Sequence, residues 1–278
     1  RLVGSEMCIR DRYYMRKTFV HLLWSGLFVG VSLLVLFFVC VWNGWVGYMP
    51  DMEKLQNPIN KYASQVYSSD GKLIGTWNEN KANRIAVDYN SLSPHIVHAL
   101  VATEDERFYT HSGIDFIALG RAIVKRGMMG QESAGGGSTI TQQLAKQLFS
   151  EKAHNTLERL LQKPIEWVIA IKLERSFTKE DIVTMYLNYF DFLHNAVGIK
   201  RAANTYFSKE PHQLSITEAA TLVGLCKNPS LFNPLKYPDR CLERRNVVLM
   251  QMMKSGYITH SEYDTYCCLL YTSDAADE

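Results

Sequence analysis

The sequence predicts a mainly α-helical protein with a small β-ribbon near its start and one membrane-crossing helix ahead of that. Three observations carry this reading. Residues 19–42, FVHLLWSGLFVGVSLLVLFFVCVW, contain no Asp, Glu, Lys or Arg, and a run of that length can span a bilayer. From residue 91 to residue 255 apolar side chains recur at helical spacing, with no repeat and no strand–helix alternation. Between these regions one turn signal, Ser69-Asp70-Gly71, is flanked by Val66-Tyr67 and Leu73-Ile74, the pattern of a two-stranded hairpin.

The apolar run is preceded by Arg16 and Lys17 and followed by Asp51 and Glu53. The positive-inside rule then places the N-terminus in the cytoplasm and the chain after residue 48 outside. Trp42, Trp45 and Tyr48 suit the interfacial aromatic belt. A cleaved signal peptide is the alternative, but the run is too long and no small-residue cleavage site follows closely. The chain therefore divides into a cytoplasmic tail at 13–18, an anchor at 19–45, a linker at 46–62 and a folded domain at 63–260. The ribbon is marginal by itself, so it is expected to lean on a part of the protein that lies elsewhere.

Each helix has its own signal. Ile96, Leu100 and Val101 lead an amphipathic run into Glu104. Residues 114–129 set Ile117, Leu119, Ile123 and Val124 against Arg121, Lys125 and Arg126, and end on Met128 and Met129, which either pack inside or touch lipid. After a glycine-rich loop at 133–137, Thr139 and Gln142 fit an N-cap and its partner in a capping box. Residues 155–174 form a longer helix that Pro164 should kink or restart. Further helices are expected at 178–188, capped by Thr178, and at 199–207, 217–226 and 239–255.

Both ends read as foreign. Met7-Cys8-Ile9-Arg10-Asp11 can be encoded by a string whose reverse complement, shifted by one base, encodes Cys268-Leu269-Leu270-Tyr271-Thr272. Such symmetry is expected of translated adaptor sequence. Residues 1–12 and 268–278 are therefore set aside from the fold, and the natural chain is expected to continue beyond Tyr266. Of the six cysteines, Cys8 and Cys268 fall in those ends and Cys267 sits at the junction; Cys226 and Cys241 then remain beside Cys40 in the anchor, without metal-ligand spacing, and read as unpaired thiols or small core residues.

The net charge of +2 gives no argument for nucleic acid, so chemistry must come from local clusters. In ATEDERFYTHSGID, residues 102–115, two carboxylates, an aromatic and a histidine crowd together. Glu104 and Asp105 are adjacent and point about 100° apart on a helix, so they cannot jointly grip one atom; spacing alone also allows a solvated acidic helix end. In GGGSTITQQLAKQLF a glycine-led helix start offers N–H groups to phosphate, with Gln142 and Lys146 on one face; a plain turn is the bland alternative. Arg159, Lys163 and Glu166 form one stripe if the helix continues through Pro164, suited to a diphosphate with or without a metal, or to a surface salt-bridge ladder.

Taken together, EDERFYTHSGID, GGGSTITQQLAKQ, QKPIE and KEDIVTMYLN resemble, in order, the first four motifs of the peptidoglycan glycosyltransferases. This is the lysozyme-like transglycosylase domain of class A penicillin-binding proteins, here ending ahead of any transpeptidase domain. The resemblance spans about residues 65–257. It departs at Gln162, where the third motif carries arginine, at Pro164 inside that motif, and at Gln147, where asparagine is frequent.

The resemblance implies that Glu104 is the general base and Glu166 the second catalytic glutamate. It implies that Asp105, Phe108, His111, Ser138, Thr139, Gln142, Gln143, Lys146, Arg159, Lys163 and Asn188 bind substrate. The implied reaction polymerises lipid II into glycan strands by inverting β-1,4 transfer and releases undecaprenyl diphosphate. The implied partners are lipid II, the growing lipid-linked glycan, the membrane and other cell-wall synthesis proteins, with no nucleic acid. Mg2+ near Glu166 is the one cofactor the pattern leaves room for; no organic cofactor is expected. The implied location is the bacterial inner membrane, single-pass, with the catalytic domain on the periplasmic or extracellular side. A lysozyme-like peptidoglycan-cleaving enzyme and a non-catalytic membrane scaffold are the rival readings. Ser69–Lys72 and Ser176–Lys179 match S-x-x-K, but no K-T-G follows, so no penicillin-reactive site is expected in this stretch.

Overall fold

A computed structural model describes residues 3–46, 49–51, 64–71, 73–77, 84–128, 137–149 and 156–269. The chain separates into two units, residues 1–49 with 153–168, and residues 50–152 with 169–278.

The first unit is built on α1 (Val3–Trp42). Its stretch Arg16–Trp42 is long and apolar enough to cross a membrane, and Phe19, Trp24 and Phe28 are exposed along it. Such a surface is stable only where something other than water covers it. Tyr48 lies outside the described residues. The unit also holds the first part of α5 (Thr156–Ser176), whose Trp167 ring stacks on Phe38 with centroids 6.4 Å apart. Of the two outcomes expected at Pro164, a kink or a restart, the restart does not occur: Pro164 sits inside α5. The proline removes one backbone bond, but the helical pattern continues on both sides of it and outweighs that loss.

The second unit opens with the expected ribbon. β1 (Ser64–Tyr67) pairs antiparallel with β2 (Leu73–Trp77), from Ser64↔Trp77 to Tyr67↔Leu73, with an irregularity between Val66 and Tyr67. The helices that follow are α2 (Pro94–Glu104), α3 (Phe116–Met128), α4 (Ile140–Phe149), α6 (Lys179–Tyr189), α7 (Ile199–Phe207), α8 (Ile216–Lys227), α9 (Pro238–Lys254) and α10 (His260–Cys268). Their starts are written in the chain. The Ser93 hydroxyl accepts from the His95 N–H, with Pro94 in the first turn. Thr178 with Asp181, and Ser215 with Glu218, form reciprocal capping boxes.

The core is a three-helix contact of α2, α8 and α9. Ile96, Ala99 and Leu100 of α2, Leu222 and Val223 of α8, and Val248 and Leu249 of α9 are fully buried. A second contact joins α4 to α6, with Leu144, Leu187 and Tyr186 buried. Cys226 and Cys241 are free and buried, as small core residues. Helix α10 was not expected. It buries no residue of its own, and the buried Arg245 of α9 holds its end by donating to the carbonyls of Leu269 at 2.8 Å and Tyr266 at 3.2 Å.

Candidate active site

Helix α2 stops at Glu104, and the next eleven residues form a loop with a single 3-10 turn at Phe108–Thr110. The acidic cluster therefore does not share a helix face, and each of its members is held by a different neighbour. Asp105 is buried and accepts from His111 Nε2 at 3.0 Å and from the Ile140 N–H at 3.1 Å. The His111 Nδ1 accepts from the Gly113 N–H at 3.2 Å, which leaves Nε2 as the nitrogen that donates to Asp105. Gly113 has φ +91°, and a Cβ there would stand 3.0 Å from the Ala170 carbonyl, so glycine is required twice over.

The Gly113 carbonyl is itself a hub. Thr139 donates to it from Oγ1 at 2.8 Å and Gln142 from Nε2 at 3.2 Å. Asp115 closes the loop, accepting from the Ile117 and Ala118 N–H groups as the cap of α3 and from both arms of the Arg107 guanidinium. Burial pushes the Asp115 pKa up, but the Ala118 N–H and Arg107 outweigh it, and the carboxyl rests below its ordinary range. Below the loop, Lys179 Nζ donates to the His111 carbonyl at 2.7 Å, pairs with Glu174 and sits 4.3 Å from the centre of the Phe108 ring. Glu174 also accepts from Thr141 Oγ1 at 2.6 Å.

This changes the meaning of the glycine-led helix start. Thr139 caps α4, accepting from the Gln142 N–H, but the Gln142 side chain turns to Gly113, so only half of the expected capping box forms. The anion at this helix start is Asp105, which already takes the Ile140 N–H. Nor do Gln142 and Lys146 converge on one ligand: Gln142 is buried and Lys146 exposed.

Glu104 is the member of the cluster turned towards open space. It lines a polar cleft of about 450 Å³ with Arg107, Arg121, Ser138, Gln143 and Lys254. Its Oε2 accepts from Gln143 Nε2 at 2.8 Å, and Gln143 Oε1 in turn accepts from the Tyr186 hydroxyl at 3.1 Å. Because Tyr186 can only donate to the amide oxygen, the amide nitrogen is left facing Glu104. Arg244 Nη2 lies 3.8 Å from Oε1. Among the described residues no hydrogen bond reaches Oε1. A half-enclosed carboxylate with one oxygen fixed and one unengaged, at the wall of a polar cleft, can take a proton from a bound hydroxyl.

A family model described as Transglycosylase matches residues 70–253. The chain belongs to the transglycosylase family. Its relatives include penicillin-binding protein 1A of Aquifex aeolicus, 39% identical over 90% of this chain and 33% of that protein. Penicillin-binding protein 1A of Escherichia coli is 41% identical over 78% of this chain and 25% of that protein. The chain thus spans a quarter to a third of the length of these relatives. A crystal structure of penicillin-binding protein 1A from Haemophilus influenzae covers 77% of this chain at 25% identity with a TM-score of 0.42; the family assignment rests on the sequence, not on that overlay.

Several of the expected substrate contacts are engaged within the protein. Phe108 is fully buried, and the polar groups of Asp105, Thr139 and Gln142 are spent inside the protein. His111 is closed between Asp105 and Gly113. Asn188 is buried and exchanges two bonds with the Val87 backbone. It is fixed from the other side by Gly198, where a Cβ would stand 2.7 Å from the Asn188 carbonyl. These residues hold the loop and its frame in shape, and Asp105 and Thr139 also line the cleft beside Glu104, Gln143 and Ser138. In the other unit, Glu166 is buried with Lys163 Nζ 2.8 Å from Oε2, and the side chain of Arg159 lies outside the described residues. Arg244, Tyr186 and Cys226 were not expected at the site. Each sits on a helix whose pattern reads as ordinary core, so only the fold brings them to Glu104.

Proposed function

We propose that this chain is a peptidoglycan glycosyltransferase that polymerises lipid II. The observation that supports it best is Glu104: a carboxylate lining a polar cleft, its Oε2 held by Gln143 and its Oε1 3.8 Å from Arg244 Nη2 with no hydrogen bond among the described residues. A sugar hydroxyl has a pKa far above neutral, so attack needs a positioned base. Oε1 of Glu104 takes the proton of the acceptor N-acetylglucosamine 4-hydroxyl as that oxygen bonds to C1 of the donor N-acetylmuramic acid. The bond from C1 to the lipid diphosphate breaks on the opposite side, which inverts α to β. The diphosphate leaves with the electron pair, and the proton passes from Glu104 to solvent. The leaving group is already acidic and needs charge more than a proton. The resemblance gives that role to Lys146, Arg159 and Lys163, with Glu166 holding a cation in place.

No group of three His, Cys, Asp or Glu that could hold a metal occurs among the described residues, and Glu166 already has Lys163 beside it. A Mg2+ near Glu166 would therefore take most of its ligands from the diphosphate and water, and no step is assigned to the ion. The helix Arg16–Trp42 is read as an uncleaved anchor with the N-terminus in the cytoplasm, holding the domain at the outer face where both lipid-linked substrates lie. Confinement to that surface raises their effective concentration.

Incubation of the full chain with labelled lipid II tests the reading. Polymer is expected, and Glu104→Gln should abolish it. Cleaved glycan would favour a hydrolase, no product would favour a scaffold, and wild-type polymerisation by Glu104→Gln would remove the base assignment.

A further inference from the structure

We propose that Arg244 is a positioning residue for Glu104: it holds the carboxylate in its charged form without occupying the oxygen that receives the proton. The inference rests on the reading of Glu104 as the base. Its foundation is a distance. Arg244 Nη2 stands 3.8 Å from Glu104 Oε1, beyond the 2.7–3.2 Å of an N–H···O bond. Attraction between unit charges remains large at that range in a partly buried site. A fork-to-fork pair would consume the lone pairs of Oε1 and weaken the base. An arginine one step back stabilises the anion and leaves Oε1 open to the acceptor.

The surroundings keep the guanidinium in that position. Its side chain is only 11% exposed, and it lies 6.0 Å from the centre of the Phe232 ring. The Nε atom is buried without a hydrogen-bond partner among the described residues. The stem passes over Gly224 of α8, where a Cβ would stand 3.2 Å from Arg244 Cγ. A buried, incompletely bonded arginine threaded over a glycine is expensive to keep, and Glu104 is its one ion-pair partner among the described residues.

The other groups around Glu104 do not supply the charge. Gln143 of α4 is neutral. Burial pushes the Tyr186 hydroxyl of α6 well above its ordinary pKa, and the Cys226 thiol of α8 far up as well, so both stay neutral. Asp105 and Glu106, beside Glu104, are acidic. Arg107 is committed to Asp115, and Arg121 and Lys254 line the same cleft without an ion pair to Glu104 among the described residues. Burial lowers the Arg244 pKa while Glu104 raises it, and an arginine remains protonated either way.

The test is the pH dependence of kcat/KM for lipid II polymerisation by the full chain in detergent. Loss of a cation raises a carboxylate pKa by about one unit or more, so Arg244→Gln should move the acidic limb upward by about one pH unit. At pH 5.5–6 the rate should fall roughly ten-fold below wild type, with a much smaller loss on the alkaline plateau. Arg244→Lys should restore most of the limb, and Gly224→Ala, which displaces the stem, should shift it part of the way. A folded Arg244→Gln with an unmoved limb, or with an equal loss at every pH, overturns the inference. If Arg244→Gln does not fold, an unmoved limb in Gly224→Ala overturns it instead. Glu104→Gln is run alongside: if it polymerises normally, the base reading itself has failed, whereas an inactive Glu104→Gln with an unmoved Arg244 limb removes this inference alone.

Discussion

Glu104 and Glu166 are two glutamates, each set in a motif with a nearby cation, to which the resemblance gives different roles. The fold gives them different surroundings. The Glu104 side chain is 16% exposed at a cleft wall, and its cation stands 3.8 Å away. The Glu166 side chain is 2% exposed, with Lys163 Nζ at 2.8 Å and Lys163 itself half in solvent. A carboxylate with an unengaged oxygen facing a cleft can exchange a proton with a ligand. A buried carboxylate against an ammonium group can anchor that ammonium. The difference supports the proposal that proton transfer belongs to Glu104 and that Glu166 holds positive charge.

The largest effect should come from Glu104→Gln, which keeps shape and the Gln143 contact but removes the base. Loss of general-base catalysis costs about 10²–10⁴-fold, read as kcat in the lipid II assay with the melting temperature unchanged. Glu166→Gln should act differently, by releasing Lys163. Loss of an i,i+3 ion pair with a half-exposed lysine, worth about 0.3–0.5 kcal/mol, should appear as a modest rise in KM. A fall in kcat as deep as that of Glu104→Gln would erase the distinction between the two glutamates.

Tyr186→Phe sharpens the same contrast from beneath Gln143. It removes only the hydroxyl that orients the amide, a bond worth about 1 kcal/mol, so kcat should fall roughly five-fold with little change in KM. Asp115→Asn bears on the loop and not on proton transfer. It should lower stability by roughly 1–2 kcal/mol, measured by thermal melting. The sign of the matching pH effect follows from the lowered Asp115 pKa. The stabilisation is full above the unfolded carboxyl pKa of about 3.9 and is lost as pH falls through the lower folded value. The wild-type melting temperature should therefore drop on the acid side of that pKa more steeply than that of Asp115→Asn.

Much of this architecture was legible before the fold was known. The helices ending at Glu104, starting after Thr178 and covering 199–207 follow from apolar spacing and caps, and the ribbon from Ser69-Asp70-Gly71. Other features were hidden for identifiable reasons. Pro164 signals a kink or a restart because local propensity is visible in sequence, whereas the packing that carries α5 past it is tertiary. Thr139 and Gln142 satisfied the capping-box pattern, yet the Gly113 carbonyl competes for the Gln142 amide, and that carbonyl comes from a distant loop. Helix α10 carried a readable Thr259–Glu262 box but no apolar stripe to draw attention to it. Arg244 was the hardest to see, since its partner belongs to another helix and the neighbouring Arg245 faces a different task.

The bonds from Ile140 to Asp105 and from Thr139 to Gly113 join the two ends of the segment 114–138, and so form a neck. The described residues between them are α3 (Phe116–Met128) and a short stretch up to Ser138. Lengthening a segment closed in this way costs little, about 0.6 kcal/mol for each doubling. An insertion there is therefore expected to alter the surroundings of the exposed Phe116 and Ile117 and the cleft wall at Arg121, while the mount that carries Glu104 stays as it is.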